Sequence, residues 1–263
     1  MTNNRLCSCV LGAVALFVLG SAACNDDDDD DGVVGGAGTG GGGGGDVAPD
    51  DFEELDMSVC DLDSGPFSLD IDNPYFPLPV GQRIVLEGDD QGTIIRVEIT
   101  VLDEVETVGG VETRVMEEAE LEDEELVEVS RNFFAQASDG TVCYFGEDVD
   151  DYEGGVVVSH GGAWRAGDGD NAPGIFMPGT PREGTRFFQE RAPDVAEDVS
   201  AVLEVGSSFD VATESFEDVV VAVDWNPLDG QTSEDGDEKV YARGVGLVFD
   251  EVVELIEVVP AGS

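Results

Sequence analysis

Between residues 93 and 102 apolar and polar side chains alternate with a period of two. Ile95, Val97, Ile99 and Val101 fall on one face, and Ile94, Arg96, Glu98 and Thr100 on the other. Successive side chains of an extended chain point to opposite sides, so this is the pattern of a half-buried strand. Residues 217–225 repeat it, with Val219, Val221, Val223 and Trp225 predicted to face inward. Further strand candidates are 83–87, 111–119, 126–136, 141–146, 156–159, 186–190, 200–205, 239–243 and 246–259. Residues 117–128 admit a partly helical reading, which is not adopted. Turn-forming clusters separate the candidates: Glu87-Gly88-Asp89-Asp90, Val108-Gly109-Gly110, Ser138-Asp139-Gly140, Gly154-Gly155 and Asp229-Gly230. Parallel crossovers need longer connections, so short strands joined this tightly pair antiparallel. The expected fold is mainly β: a single antiparallel curved sheet, half-barrel or sandwich-like. Residues 161–184, rich in Gly and Pro, are expected to form a long ordered loop. It would pack Trp164, Ile175, Phe176 and Met177 over one opening of the sheet, as a functional loop or as a structural plug.

The folding domain is assigned to residues 66–263, long enough for one core. What precedes it reads as an address. Residues 1–9 carry one positive side chain, Arg5. An apolar run from 10 to 19 follows, then Gly20-Ser21-Ala22-Ala23 and Cys24. This is the layout of a secretory signal over 1–23, too short to span a bilayer. It resembles a bacterial lipoprotein signal, although Ser21 stands where Leu is usual. The resemblance implies that Cys24 becomes a lipidated N-terminus and that the protein is held at an extracytoplasmic membrane surface of the cell envelope. Ordinary signal cleavage after Ala23 is the alternative. Residues 24–65 read as a disordered tether. Their Asp26–Asp31 run and glycine tract offer almost nothing apolar to offset the entropy of ordering.

Charge narrows the environment and the partners. The chain holds 60 Asp and Glu against 11 Lys and Arg, a net charge of −49, and Lys239 is its sole lysine. Fourteen acidic residues precede Pro66, leaving 46 in the domain against ten basic ones. Such a surface repels itself in dilute buffer. At about 1 M salt the Debye length falls to roughly 3 Å and the repulsion is screened, so the composition reads as salt adaptation. Nucleic acid, which requires a basic footprint, is excluded as a partner.

Several segments carry a resemblance. They are Asn73-Pro-Tyr-Phe-Pro-Leu-Pro-Val-Gly81, Phe134-Ala-Gln136, Tyr144-Phe-Gly-Glu147, Trp164-Arg-Ala-Gly167 and Pro173-Gly-Ile-Phe-Met-Pro178. Phe188-Gln-Glu190, Ala196-Glu-Asp198, Phe216-Glu-Asp-Val219 and Tyr241-Ala-Arg-Gly-Val-Gly-Leu-Val248 complete the set. In order and spacing they resemble a family of uncharacterised exported bacterial proteins, many of them lipoproteins. The last segment is also similar to the curved half-barrels of lipoprotein and lipid carriers. The resemblance implies an envelope location and a β fold, and supplies no reaction.

Candidate chemistry is sparse. His160 is the only histidine, so a histidine-based zinc site is excluded, and Cys60 with Cys143 cannot complete one. No metal or cofactor is expected, and His160 reads as a turn residue. In an oxidising compartment Cys60 and Cys143 are expected to pair as a disulfide, with two buried thiols as the alternative. Tyr144, Trp164, Phe176, Phe188 and Tyr241, with Arg165 as anchor for an anionic group, are the candidates for binding an apolar or sugar ligand. Simple core packing is the competing reading. Glu147, Glu190, Glu197 and Asp198 are the candidates for a carboxylate pair acting on envelope polysaccharide. Asp168, Asp170 and Asn171 are the weaker candidates for touching calcium. The expected function is that of a membrane-anchored, non-enzymatic ligand-binding or scaffolding β domain; the alternative is a carboxylate-dependent hydrolase. Salt adaptation predicts a melting temperature, read by circular dichroism, that climbs from 10 mM to 2 M NaCl. An unchanged value rejects it.

Overall fold

The structure, a computed structural model, describes residues 52–262. The residues assigned to a signal, Cys24 and most of the assigned tether lie outside the described residues. Fifteen strands form one open sheet. They are β1 (Glu53–Glu54), β2 (Arg83–Asp90), β3 (Thr93–Val108), β4 (Val111–Glu122), β5 (Glu125–Gln136), β6 (Val142–Glu153), β7 (Val156–Ser159), β8 (Trp164–Arg165), β9 (Gly174–Met177), β10 (Thr185–Phe188), β11 (Val199–Asp210), β12 (Ser215–Trp225), β13 (Asp237–Ala242), β14 (Gly246–Asp250) and β15 (Val253–Val259). The lateral order is β1-β10-β11-β12-β13-β14-β15-β2-β3-β4-β5-β6-β7, with β8 and β9 also on β6. Every pair is antiparallel except β1 with β10. The architecture is therefore a single meandering sheet, and the two-sheet sandwich is not formed.

The sheet curls around its own core. β4 and β13 stand five places apart in the order, yet Glu118 of β4 and Tyr241 of β13 line the same interior slot. The ends of the sheet approach without completing a ladder. Ala172 bridges Arg191, and a Cβ placed on Gly174 would sit 1.9 Å from the Gln189 carbonyl oxygen. Only glycine allows the end carrying β9 to come so close to the segment after β10.

Residues 95, 97, 99 and 101 of β3 are all buried, as the alternation predicts. β12 departs from its pattern. Val220 and Ala222 share the interior face with Tyr241 and Lys239, their partners on β13. Val223 and Trp225 look the other way. They form a second cluster with Val199 and Ala201, against which Phe52 and Phe188 pack. Both faces of this strand are covered, so apolar residues fill both and alternation no longer marks the inside.

Two expectations about strands and turns need correction, and one stretch left open is settled. Residues 246–259 are two strands, folded back at Glu251, whose φ is +52°. The 117–128 stretch is a hairpin closed by Asp123 and Glu124, with φ of +48° and +70°, and contains no helix. These reversals use acidic residues in left-handed geometry rather than glycine, so composition does not mark them. Gly88, expected in a turn, lies inside β2, where a Cβ would meet the Val252 carbonyl oxygen at 2.0 Å.

The packed region also begins before Pro66. Leu55, Met57, Val59 and Leu62 pack on the core, and β1 pairs with β10. Acidic neighbours mask these apolar residues in the sequence. Met57–Cys60 forms a 3-10 helix capped by Asp56, whose carboxylate accepts from Ser58 N at 3.0 Å. Cys60 is joined to Cys143 of β6 by a disulfide with Cα atoms 5.5 Å apart, across 83 residues of sequence. In the chain-entropy account a loop of that length contributes about 4 kcal/mol. Urea unfolding of the Cys60→Ala, Cys143→Ala double variant is expected to show a loss of that order. A loss below about 1 kcal/mol would remove the disulfide's role in holding residues 52–65.

Candidate functional site

The 71–81 segment roofs the interior, and Asn73 fixes it there. The Asn73 side chain accepts from Tyr75 N at 2.9 Å and Phe76 N at 3.2 Å, and donates to the carbonyls of Gly140 at 2.9 Å and Pro178 at 3.1 Å. Gln136 Oε1 accepts from the backbone N–H groups of Asp72 and Asn73, each at 3.0 Å. With its polar groups met, the segment drives Phe76 and Leu78 inward. Phe76 lies 4.4 Å from Phe176, 5.4 Å from Phe134 and 6.4 Å from Tyr241, ring to ring. Tyr144 stacks on Phe134 at 4.8 Å and meets Trp164 edge-on at 5.4 Å and Phe176 at 5.8 Å. Four of the predicted ligand residues, Tyr144, Trp164, Phe176 and Tyr241, thus belong to one buried aromatic cluster. The 161–184 segment delivers two of them through β8 and β9, which pair with β6, so it is strand addition more than loop.

Beside this cluster runs a narrow slot of about 30 Å³, lined by Phe76, Pro77, Leu78, Ile84, Ile99, Val101, Met116, Phe176, Tyr241, Val245, Gly246 and Leu247, with Gln82 and Glu118 as the other polar contributors. That is room for about two waters. The rim is tied by polar contacts. Gln82 Nε2 donates to the Val245 carbonyl at 3.1 Å, and Gly244 N donates to the Pro74 carbonyl at 2.7 Å. The Tyr75 hydroxyl donates to Asp218 at 2.8 Å, and the Arg243 guanidinium lies 4.8 Å over the Tyr75 ring while also pairing with Asp218.

The rest of the interior is acidic. Glu118 and Glu120 of β4, Glu128 of β5, Glu147 of β6, Asp224 of β12 and Asp250 of β14 face it, with Glu190 and Asp198 from the β10–β11 connection. Lys239 of β13 is the cation among them, 2% exposed, with Nζ 3.1 Å from Asp250 and 3.7 Å from Asp224. Burial pushes Glu118 up to about 7 against the pull of Lys239. Burial and then Glu128 push Glu120 up to about 9, and burial with Glu118 and Asp151 takes Glu128 to about 8. Burial likewise raises Asp198 and Asp250 to about 6. Glu147 and Glu190 are held well above the usual carboxylate range by burial and by neighbouring carboxylates. For Lys239 burial opposes the charge, but Asp250 and Asp224 outweigh it and its pKa rises. Trp164 Nε1 donates to Glu190 Oε1 at 3.0 Å. Both carboxyl oxygens of Glu147, Glu190 Oε2 and Glu118 Oε2 are buried without a hydrogen-bond partner. Such groups are tolerated as neutral acids far better than as anions. Among the described residues no group of three or more His, Cys, Asp and Glu is arranged to hold a metal ion.

The other sequence candidates lie elsewhere. Arg165 is held by Asp148 at 2.7 Å and Glu106 at 2.9 Å and stacks over Phe133, outside the slot. Phe188 lines an outer groove with Glu54, Arg186, Glu197 and Trp225. Glu147, Glu190 and Asp198 come together, but buried, while Glu197 reaches that groove. Asp168 and Asn171 close a turn through the Asn171 N–Asp168 O bond of 3.1 Å. His160 is exposed, its Nδ1 2.8 Å from Asp150. Glu118, Asn73 and Lys239 were not read as site residues. Lys239 carries a signal as the chain's sole lysine, and Asn73 opens the first of the segments that carry the family resemblance; Glu118 carries none.

No family model, curated protein or solved structure matches this chain.

Carboxyl groups raised in the fold bind protons that the unfolded chain has released, so stability is greatest near pH 4.5 and declines as pH climbs through about 7 to 9. Lys239→Met removes the buried cation that pairs with Asp224 and Asp250. The expected loss, by urea unfolding, is about 3–5 kcal/mol at pH 8. At pH 5, below the raised values of Glu118 and Asp250, the loss is expected to be clearly smaller. Equal losses at the two pH values would contradict the neutral-acid account.

Proposed function

We propose that this chain is a non-enzymatic, extracytoplasmic binding domain, tethered to a membrane through Cys24, that takes an apolar molecule into the slot beneath the 71–81 segment. The observation that carries this reading is the lining. Apart from Tyr241, Gln82 and Glu118 it is apolar, and Glu118 is raised to about 7, so near neutral pH it can donate a hydrogen bond to a polar end. Three of the sequence segments singled out above, 73–81, 173–178 and 241–248, line it. The slot's present volume suits only a very small guest. A larger one requires the 71–81 segment to lift, which breaks the Asn73 and Gln136 hydrogen bonds and the Phe76 ring contacts, so its entry is slow.

The hydrolase alternative needs facing carboxylates in an open groove. Glu147, Glu190 and Asp198 are enclosed, which weighs against it. Native mass spectrometry of the protein extracted from membranes tests both parts of the proposal. The expected species begins at Cys24 with added acyl mass and carries an apolar molecule, which Leu247→Trp displaces by filling the slot. An intact Met1 rejects the anchor, and an adduct that survives Leu247→Trp rejects the slot.

A further inference from the structure

The outer edge of β6 is occupied in turn by β9 at 142–144, β8 at 146–147 and β7 at 151–153. β7 ends the sheet order, so among the described residues no further strand pairs with its outer side. Sheet edges are commonly blunted by charge, proline or a cover. Among the described residues β7 has none of these. Its sequence is Val-Val-Val-Ser, and all four residues are exposed, Val156 at 65% and Val158 at 54%. Single exposed apolar residues are ordinary, but three in a row on an unpaired edge are not. One strand inward the chemistry changes sign. Glu153 pairs with Val156 and Asp151 with Ser159, and Asp150 stands beside them.

We propose that β7 is a strand-addition site for an extended segment of another protein in which apolar residues alternate with Lys or Arg. The backbone edge supplies the ladder, and the valines supply apolar contact across it. The carboxylates of β6 lie two strand spacings from the incoming chain, about 10 Å, within reach of a long cationic side chain meeting Asp or Glu. A second copy of this chain is the disfavoured occupant. Edge pairing would bring two β6 acid rows and two strongly negative domains together.

The test uses the full chain at 0.15 M salt with fluorescein-labelled Val-Lys-Val-Lys-Val-Lys and Val-Glu-Val-Glu-Val-Glu peptides. Anisotropy is expected to report binding of the first only, with exchange of the 156–159 backbone amides slowed at least tenfold. Val157→Pro and, separately, Glu153→Lys are expected to weaken binding at least tenfold at unchanged melting temperature, since both residues are peripheral. Cationic peptide that binds without slowing those amides, or binds both variants as well as the parent, reports attraction to the acidic surface at large and overturns the proposal. Protection of the same amides by self-association without peptide, read by sedimentation, assigns the edge to a second copy and overturns it equally.

Discussion

Lys239 is the contact on which the interior depends. It sits on β13 between Asp224 of β12 and Asp250 of β14 and faces Glu118 across the curl. One cation serves a wall of carboxyl groups, so most of them reside in the fold as acids rather than anions. A charge removed from water costs several kcal/mol, whereas a neutral carboxyl costs only its unmade hydrogen bonds. Protonation is therefore part of the packing of β4, β5 and β6 and not a property added to it.

The aromatic side of the interior follows from the same curvature. A flat sheet would leave Tyr241 of β13 far from Phe134 and Tyr144, which are register partners on the neighbouring strands β5 and β6. Curling brings the two sides close enough for Phe76, placed by the Asn73 hub, to meet Phe134 on one side and Tyr241 on the other. The slot is the space these rings do not fill. Its polar rim and apolar wall distinguish it from the carboxyl wall, although Glu118 belongs to both.

The sequence was legible where one face of a strand is wet. β3 shows this: its four inward residues read directly from the period of two. Legibility failed where both faces are covered, as in β12, whose apolar residues fill both sides. It failed again where a reversal uses Asp123, Glu124 or Glu251 in place of glycine. The inward acids of β4 were unreadable for a different reason. Glu117, Glu118, Glu120 and Glu122 are one chemical type, and in a chain this acidic nothing in the sequence separates a solvated carboxylate from a buried acid. The aromatic candidates succeeded in part because Tyr144, Trp164, Phe176 and Tyr241 cluster. Phe188 failed because it packs on the outer face, and Arg165 because acidic neighbours had already paired it.

Two populations of acidic residues thus obey different physics within one chain. Those outside are screened by mobile ions over a Debye length, and their mutual repulsion weakens as salt is added. Those inside exclude ions along with water, so salt reaches them only through the global stability, and protons govern them directly. β7 belongs to neither population. Its edge carries no charged side chain of its own to oppose an incoming strand. What opposes it is the acid row of β6 behind the edge, and that row discriminates by sign: it repels another acidic domain and favours a cationic segment.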